Sequence, residues 1–463
     1  MQQSAHAPVP LSPGSKEASR PNEASSQEDT AFRISGRIRT GFDHSFWGSG
    51  SIQLLSPIPR PHFESTGIMP TDHLDQIDRA TLQARKSEKW HTYPSDILPA
   101  WVAEMDFPVA PAIDRVLRES IDRWDVGYPI APTDTGLREA FAERMSDRFD
   151  WAINPVDVEI LTEVVQGMYL SLLAYSAPGD GVVVQTPIYA PFLSAVRETG
   201  RELRENRLLF RDSQWTIDIE ALEAAIDPRT RVLLFCNPHN PSGRVLTRPE
   251  LKAIAEIVLQ NDLIVVSDEI HADLLFDGRE HIPFGSLSPE IGARTITLTS
   301  ASKAFNIPGL RCALAHFGDP KLKDRFNTAV PRHVRGGMGI LGLYATLAAW
   351  TESQDWLDEV VQYLEGNRNF VVETLRAKWP SIGFASPQGT YMAFLDCSAL
   401  NLGPSPAKHF YEHGRLALSE GRVFGPGFAS WVRLNFATSR EILAEIFDRM
   451  EKALSTSTPT ETP

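Results

Sequence analysis

The chain has 463 residues, of which 42% are hydrophobic, and its formal net charge at pH 7 is -14. This length and composition are typical of a globular protein with a core large enough for two or more domains. The acidic charge argues against nucleic acid and against an anionic membrane surface as partners, because the long-range field repels both. Three widely spaced cysteines without a CxxC pair or a Cys/His cluster indicate neither a disulfide framework nor a metal site, and they favour the reducing cytoplasm.

The composition along the chain predicts two domains behind an extension. Residues 1–71 are rich in Ser, Pro, Gly and charged residues and contain no continuous apolar segment, so we predict a disordered N-terminal extension. From residue 72 onward, apolar runs alternate with helical patterns. We expect residues 72–114 to join a small domain, residues 115–355 to form a large domain, residues 356–456 to form the small C-terminal domain, and residues 457–463 to be a tail.

Short apolar runs predict strands that are buried on both faces. They are VVVQ (182–185), VLLFC (232–236), LIVVSDE (263–269), TITLTS (295–300) and CALAHF (312–317). Between two of them, residues 247–261 predict a helix, because Thr247 and Glu250 have capping-box spacing and Pro249 lies in the first turn. Strands that alternate with helices in this way indicate a mostly parallel α/β sheet.

The C-terminal part of the chain predicts a different architecture. Residues 336–350 carry no charge but are too few to span a membrane, so we expect a buried or interface helix there. A helical pattern continues to about residue 379, and the strand-like segments TYMAFLD (390–396) and VRLNFA are followed by a final helix. These elements indicate a smaller α+β unit.

Polar residues follow three of the predicted strands, at 237–243, 268–271 and 300–303. Ligands of α/β sheets bind outside the carboxyl ends of the strands, so these clusters predict one shared site. Lys303 is the most informative residue, because it follows an apolar strand, where partial desolvation lowers the pKa of an amine and permits a Schiff base. A lysine taken alone is more often a solvated surface cation.

The neighbours of Lys303 suit a phosphorylated ligand. Ser300, Ser302 and Arg311 offer hydroxyl groups and a planar guanidinium for a phosphate, although each alone also fits a turn serine or a surface arginine. Asp268, at the tip of a buried strand, needs a partner, which could be a cationic ring nitrogen, a helix end or a salt bridge. Asn237 could point its amide at a ligand or serve only the turn that two Asn-Pro steps form.

Four motifs carry a family resemblance. CNPHNPSGRV, VVSDEIHADL, SASKAFNIPGLR and VRLNF occur in the order and spacing of the pyridoxal-phosphate enzymes of the class I and II aminotransferase superfamily, fold type I. The resemblance covers roughly residues 72–455. LPAWVAEMDFPVAPAI, NPHNP, a histidine three residues after the aspartate, and GTYMAFLD resemble the cystathionine β-lyase, or carbon-sulfur lyase, branch. The resemblance implies a large α/β domain, with a mostly parallel sheet of the seven-stranded type flanked by helices, and a smaller α+β domain.

The resemblance also implies roles around the cofactor ring of pyridoxal phosphate. Lys303 would bind the cofactor as a Schiff base and then remove the Cα proton of the substrate. Asp268 would keep the pyridine nitrogen protonated, so that the ring accepts electrons. Asn237 would donate to the phenolic oxygen, and Tyr189 would stack on the ring face, although Tyr189 also fits a core position.

The same resemblance implies a phosphate site. Gly167 and Met168 are expected where a helix begins, with backbone amides and the helix dipole directed at the phosphate. Ser300, Ser302 and Arg311 would complete this site.

Three further residues match family positions. Tyr128 matches the tyrosine that reaches the phosphate from the neighbouring subunit, which implies a homodimer with shared active sites. Arg433 matches the arginine that binds the α-carboxylate of the substrate, where a planar fork suits a planar group; otherwise it would be a solvent-exposed edge residue. His271 stands where many aminotransferases have a tyrosine, and it could donate to the ring oxygen, titrate near neutral pH or bond a backbone carbonyl.

The sequence therefore predicts a β-lyase that cleaves cystathionine or a related L-cysteine S-conjugate to a thiol, pyruvate and ammonia. A pyridoxal-phosphate aminotransferase is the alternative, because it shares the first proton transfer and nearly all of these residues. A pyridoxal-phosphate-binding regulator is a minor alternative, since residues 1–68 lack the apolar helical period of a DNA-binding unit. We expect a cytoplasmic enzyme with a small amino-acid substrate and with no metal, nucleic-acid or membrane partner.

Overall fold

The computed structural model describes residues 72–130 and 135–455, so the predicted extension 1–71 and tail 457–463 lie outside the described residues. The helices are α1 Asp72–Asp75, α2 Arg79–Ala84, α3 Glu88–His91, α4 Pro111–Asp122, α5 Leu137–Phe149, α6 Val164–Tyr175, α7 Ala190–Glu198, α8 Ile219–Ala224, α9 Arg248–Gln260, α10 Pro289–Gly292, α11 Pro320–Ala329, α12 Arg332–Arg335, α13 Ile340–Glu352, α14 Gln354–Lys378, α15 Pro406–Gly414 and α16 Arg440–Ser455. The strands are β1 Leu98–Pro99, β2 Val158–Leu161, β3 Gly181–Thr186, β4 Glu202–Arg207, β5 Leu209–Arg211, β6 Gln214–Thr216, β7 Thr230–Cys236, β8 Ile264–Asp268, β9 Thr295–Thr299, β10 Ala313–Phe317, β11 Gly383–Phe384, β12 Met392–Asp396, β13 Leu416–Ala417, β14 Ser419–Glu420 and β15 Trp431–Asn435.

The largest sheet has seven strands in the order β2-β10-β9-β8-β7-β3-β4. Neighbours from β9 to β4 run parallel, whereas β10 runs antiparallel to both β9 and β2. Every residue of β3 is buried, as expected of a strand that is covered by helices on both faces. The predicted α/β class with a mostly parallel seven-stranded sheet is therefore confirmed, with the predicted strand 312–317 as its antiparallel member.

Helix α9 links β7 to β8 and follows the predicted signals. The Glu250 carboxylate accepts a hydrogen bond of 2.8 Å from the backbone nitrogen of Thr247, which satisfies an amide that the helix itself leaves free. Leu251 and Ile254 on its apolar face are fully buried in one hydrophobic cluster with Val265 of β8. The helical period thus places α9 across the sheet, and the chain returns to start β8 beside β7.

A four-stranded antiparallel sheet of order β11-β12-β15-β14 lies in the C-terminal part of the chain. Strand β1 pairs in parallel with β13, and Asn435 at the end of β15 donates its backbone amide to Ala100 and its side-chain amide to Val102 and Glu104. These bonds hold residues 100–104 beside the smaller sheet. The predicted domain limits 72–114, 115–355 and 356–456 stay predictions.

The uncharged run at 336–350 forms α13 only from Ile340 onward. Its apolar side chains pack against other helices, as the stacked rings of Trp350 and Phe141 show, with centroids 5.4 Å apart. Within the described residues, no helix combines the length and the apolar character that a membrane span needs.

Candidate active site

A cavity of about 220 Å³ opens where the parallel strands end. The register sets Cys236 of β7 beside Asp268 of β8, and Asp268 beside Leu298 of β9, so that the polar clusters after these strands meet. We call it the lysine cavity. The predicted site residues in its lining are Tyr189, Asp268, His271, Ser300, Ser302, Lys303 and Arg311.

Lys303 lies in the loop after β9, and its amine lines the lysine cavity. The Nζ atom donates a hydrogen bond of 2.9 Å to the backbone oxygen of Ala103, and no carboxylate of the described residues forms an ion pair with it. Burial, followed by the charge of Arg433, lowers the Lys303 pKa to about 8. A substantial neutral fraction is therefore available near neutral pH, as imine formation requires.

Asp268 ends β8 with a buried carboxylate. Its Oδ1 atom accepts a bond of 3.1 Å from the backbone nitrogen of Ile270, and it forms no salt bridge with a described residue. Burial raises the Asp268 pKa to about 7. A buried acid with one backbone donor, and with Lys303 as a nearby charge that forms no salt bridge to it, fits a ligand that brings a positive charge, and the salt-bridge alternative for this residue is wrong.

The turn after β7 forms a rigid support beneath Asp268. The Asn237 side-chain oxygen accepts a 3.0 Å bond from the backbone nitrogen of Leu246, and the Asn237 backbone nitrogen donates to the Asp268 carbonyl at 3.1 Å. Gly243 ends the turn at φ +68, where an added Cβ would lie 2.8 Å from the Cβ of Pro387. Asn237 lies outside the cavity lining, and its amide nitrogen is the group that remains for a ligand.

Helix α6 starts earlier than expected. Its first residue is Val164, so the prediction that Gly167 and Met168 mark the helix start is wrong. The Gly167 amide is already bonded to the Glu163 carbonyl at 3.1 Å, and Met168 is fully buried in the core. The free amides of the first turn belong to residues from Val164 onward, and Val164 and Val165 both line the lysine cavity.

The two serines and the arginine predicted for a phosphate do lie together at this end of the cavity. The Ser300 hydroxyl donates to the Cys312 carbonyl at 2.6 Å and accepts from the Ser302 amide at 3.0 Å. The Arg311 guanidinium, which is 61% exposed, pairs with the carboxylate of Glu163, the residue before α6. Glu163 was not predicted as a site residue, and its carboxylate is bound to the guanidinium that a phosphate would use.

Arg433 projects from β15, the strand between β12 and β14, and is 5% exposed. Its guanidinium donates to the Asn240 side-chain oxygen at 3.0 Å and to the Trp101 carbonyl at 2.8 Å, while its Nε atom is buried without a partner. Burial lowers the Arg433 pKa to about 10, and no described carboxylate pairs with it. The solvent-edge alternative is therefore wrong, and the unpaired charge suits the carboxylate of a substrate.

His271 is buried, with an Nδ1 atom that has no hydrogen-bond partner. Burial lowers the His271 pKa to about 3, so the ring is neutral at physiological pH and the prediction of titration near pH 7 is wrong. The Tyr391 ring lies edge-on to it at 6.0 Å between centroids, and the Tyr391 hydroxyl donates to the Ala103 carbonyl at 3.1 Å. Tyr391 was not predicted individually, although the GTYMAFLD motif contains it.

The two remaining predicted tyrosines lie in different places. Tyr189 precedes α7, lines the lysine cavity and is 38% exposed, so the core alternative is wrong. Tyr128 is fully exposed and is absent from the lysine cavity. It belongs to an apolar surface segment in which Trp124, Val126 and Ile130 are also exposed.

A second cavity of about 580 Å³ adjoins the first. Glu88, Val102 and Tyr189 line both cavities, and Arg433 lines only the second. We call it the aromatic cavity, after the rings of Tyr93, Trp101, Tyr189, Tyr411 and Phe424 in its lining. The arrangement places the buried guanidinium of Arg433 on one side of a shared wall and the Lys303 side chain on the other.

Known proteins share this sequence and fold. The family model for aminotransferase class I and II matches residues 105–450. Cystathionine beta-lyase PatB of Bacillus subtilis is 35% identical over 78% of this chain and 93% of its own length, and an aspartate aminotransferase of Musicola paradisiaca is 26% identical over 71% and 82%. Among solved structures, cystalysin from Treponema denticola, which contains a pyridoxal 5'-phosphate cofactor, is similar with a TM-score of 0.78 and 31% identity over 84% of this chain and all of its own. The structure of OvoB has a TM-score of 0.78 and 36% identity over 83% of this chain and 99% of its own.

Proposed function

Because the chain belongs to the aminotransferase class I and II family, we propose that it is a pyridoxal-phosphate-dependent carbon–sulfur β-lyase. It cleaves cystathionine or a related L-cysteine S-conjugate to a thiol, pyruvate and ammonia. The observation that carries this proposal is a set of three desolvated charged groups, Lys303, Asp268 and Arg433, none of which forms a salt bridge with a described residue. Relatives named as cystathionine beta-lyases support it at 33–37% identity, compared with 26–27% for those named as aminotransferases.

The residues of the lysine cavity fit pyridoxal phosphate. Asp268 supplies the anion for a cationic pyridine nitrogen, and Lys303 supplies an amine for the aldehyde. The first amides of α6, at Val164 and Val165, and the hydroxyl of Ser302 face the end where a phosphate would bind. When bound, this cofactor supplies an electron sink for the charge that develops at Cα.

The chain itself binds and orients the substrate. Arg433 holds the α-carboxylate through a planar fork, in which the unpartnered Nε atom is one free donor. This contact fixes Cα beside the Lys303 amine, which takes the Cα proton at Nζ. Binding of the carboxylate also screens Arg433, the charge that helps to lower the Lys303 pKa, so substrate binding makes the amine a stronger base.

Carbon–sulfur cleavage needs room for the leaving group, and the aromatic cavity provides it. It begins at the wall of Glu88, Val102 and Tyr189 that it shares with the lysine cavity. A substituent on the sulfur of a substrate held by Arg433 extends into this space.

We also propose a homodimer in which Tyr128 of each subunit completes the phosphate site of the other. Its full exposure within an apolar segment that includes Trp124 and Ile130 supports contact with a second copy. Sedimentation of the loaded protein tests the dimer. Tyr128→Phe should weaken cofactor affinity without changing the sedimentation coefficient, and unchanged affinity would contradict the shared site.

A cytoplasmic location is the third part of the proposal. Cys236, Cys312 and Cys397 are buried free thiols, and burial raises the pKa of each. A reducing compartment suits three such thiols. Fractionation of the producing cells, with the protein detected by antibody, tests this location.

The activity is tested with the cofactor-loaded protein and L-cystathionine. We expect equal amounts of free thiol and pyruvate, measured with a thiol reagent and with lactate dehydrogenase. The absence of thiol, together with formation of glutamate from an amino donor and 2-oxoglutarate, would replace the lyase with the aminotransferase. Heat-treated protein with free pyridoxal phosphate controls for cleavage by the cofactor alone.

A further inference from the structure

The aromatic cavity has a chemical character that the cleavage reaction does not require. Tyr93 lies at its centre, with its ring centroid 5.5 Å from that of Trp101 and 5.6 Å from that of Tyr411. All three side chains are half-buried, and the Arg415 guanidinium lies over the Tyr411 ring, 5.8 Å from its centroid. Clustered ring faces of this kind attract cations through their quadrupoles.

Some of the charged side chains that line this cavity form ion pairs with other described residues, and others do not. Lys408 lies 3.6 Å from Glu412, and Glu420 pairs with Arg422 at 3.1 Å and accepts from Ser405 at 2.5 Å. These groups therefore offer little net charge to a ligand. Arg433, the other charged residue of the lining, is the binding group for the α-carboxylate.

Glu88 is the lining residue whose charge is neither paired on the protein nor assigned to the α-carboxylate. Its carboxylate forms neither a hydrogen bond nor an ion pair with any residue in 72–130 or 135–455, although it lines both cavities. It lies in the first turn of α3, whose backbone fixes its place at the shared wall. A carboxylate in the same cavity lining as a group of aromatic rings favours a cationic guest over a neutral guest of the same shape.

We propose that the aromatic cavity selects cysteine conjugates whose S-substituent carries a cationic group, with Glu88 as its counter-ion and Tyr93, Trp101 and Tyr411 as its walls. This inference rests on the proposed lyase function, because Arg433 and Lys303 then fix the amino-acid part and direct the substituent past the shared wall. Glu88 acts in this scheme as a specificity residue and takes no part in proton transfer.

The test compares three conjugates of similar length: S-(2-aminoethyl)-L-cysteine, S-propyl-L-cysteine and S-carboxymethyl-L-cysteine. We expect the kcat/KM for pyruvate release to be about tenfold higher for the aminoethyl than for the propyl conjugate, and lowest for the carboxymethyl conjugate. Glu88→Gln should remove most of the preference for the aminoethyl conjugate, measured as the ratio of its kcat/KM to that of the propyl conjugate, because an effect of the Glu88 charge on Lys303 is common to both substrates and cancels in the ratio. Glu143→Gln, which removes an exposed carboxylate of α5 outside both cavities, controls for net charge.

The outcomes separate this inference from the lyase proposal. Cleavage of all three conjugates at equal efficiency, or a cationic preference that survives in Glu88→Gln, would overturn the inference and leave the lyase intact. Cleavage of none of the three, together with no thiol or pyruvate from L-cystathionine, would refute the lyase proposal. Calorimetric titration of the same conjugates into the loaded protein would then decide the inference, which requires tighter binding of the aminoethyl than of the propyl conjugate and loss of that difference in Glu88→Gln.

Discussion

The lysine cavity and the aromatic cavity share a wall but treat charge in opposite ways. In the lysine cavity, the buried Asp268 and the partly buried Lys303 form no salt bridge with a described residue, and desolvation moves the pKa of each toward neutrality. In the aromatic cavity, Lys408 and Glu420 are paired on the protein, whereas Glu88 and Arg433 form no ion pair with a described residue. The lysine cavity therefore leaves charged groups for a ligand to pair with, and the chemistry takes place there. In the aromatic cavity, Lys408 and Glu420 already have protein partners, and we infer that this cavity selects substrates by shape and by the charge of Glu88.

The sharpest way to break this comparison is to remove a lysine from each cavity. Lys303→Ala should abolish the visible absorbance of the lysine-bound cofactor and lower kcat at least about 1,000-fold. The reason is that the Lys303 amine both binds the cofactor and takes the Cα proton of the substrate. Lys408→Ala should keep the absorbance of the wild type. The measurement is an absorption spectrum with a pyruvate assay, and an unchanged spectrum for Lys303→Ala would refute the assignment.

A substitution of Arg433 tests whether its guanidinium, which forms no ion pair with a described residue, binds the carboxylate of the substrate. Arg433→Lys keeps the charge but loses the fork, so KM for L-cystathionine should rise about 100-fold while the cofactor absorbance is retained. Steady-state kinetics separates KM from kcat. A normal KM would assign carboxylate binding to another group.

In the cofactor-free protein, the raised pKa of Asp268 should make the free energy of unfolding depend on pH. Because the Asp268 pKa is raised to about 7, the folded state holds a proton that the unfolded state releases near pH 4, and stability falls as pH rises between these values. Asp268→Asn should lessen this loss by about 1–3 kcal/mol at pH 7. Urea unfolding of the cofactor-free protein between pH 4 and pH 7 measures it, and parallel pH profiles for the two proteins would contradict the prediction.

The same contrast explains what could be predicted from the sequence. Asp268 ends β8 and Lys303 lies in the loop after β9, so local pattern was enough to place both near strand ends, whereas Arg433 is the middle residue of β15 and was identified by its match to the family motif. The mostly parallel character of the large sheet was also accessible, because strands that alternate with helices pair in parallel, but the strand order was not predicted. A site made of charged groups at strand ends is thus visible in a linear chain.

The contacts that could not be predicted are long-range or lack a local signal. Ala103, whose carbonyl receives both Lys303 and Tyr391, is 200 residues from Lys303 along the chain. The start of α6 was misplaced because Glu163 makes no side-chain cap there and the valines that follow resemble a strand. Glu88 becomes informative only once α3 is seen beside Tyr189.

Glu163 departs from the contrast between the two cavities, because it forms an ion pair within the lysine cavity. Of the substitutions considered, its replacement should have the smallest effect. Its carboxylate pairs with Arg311 and lies at the positive end of α6, so a protein anion already holds a place suited to phosphate. Glu163→Gln should release Arg311 and tighten the affinity for pyridoxal phosphate about two- to fivefold, the range of an exposed ion pair. Fluorescence titration measures the Kd, with Glu198→Gln as the control, since Glu198 pairs with Arg197 away from the cavity. Weaker binding in Glu163→Gln would show that the carboxylate positions Arg311 for the phosphate, and the lysine cavity would then contain a prearranged pair of the kind found in its neighbour.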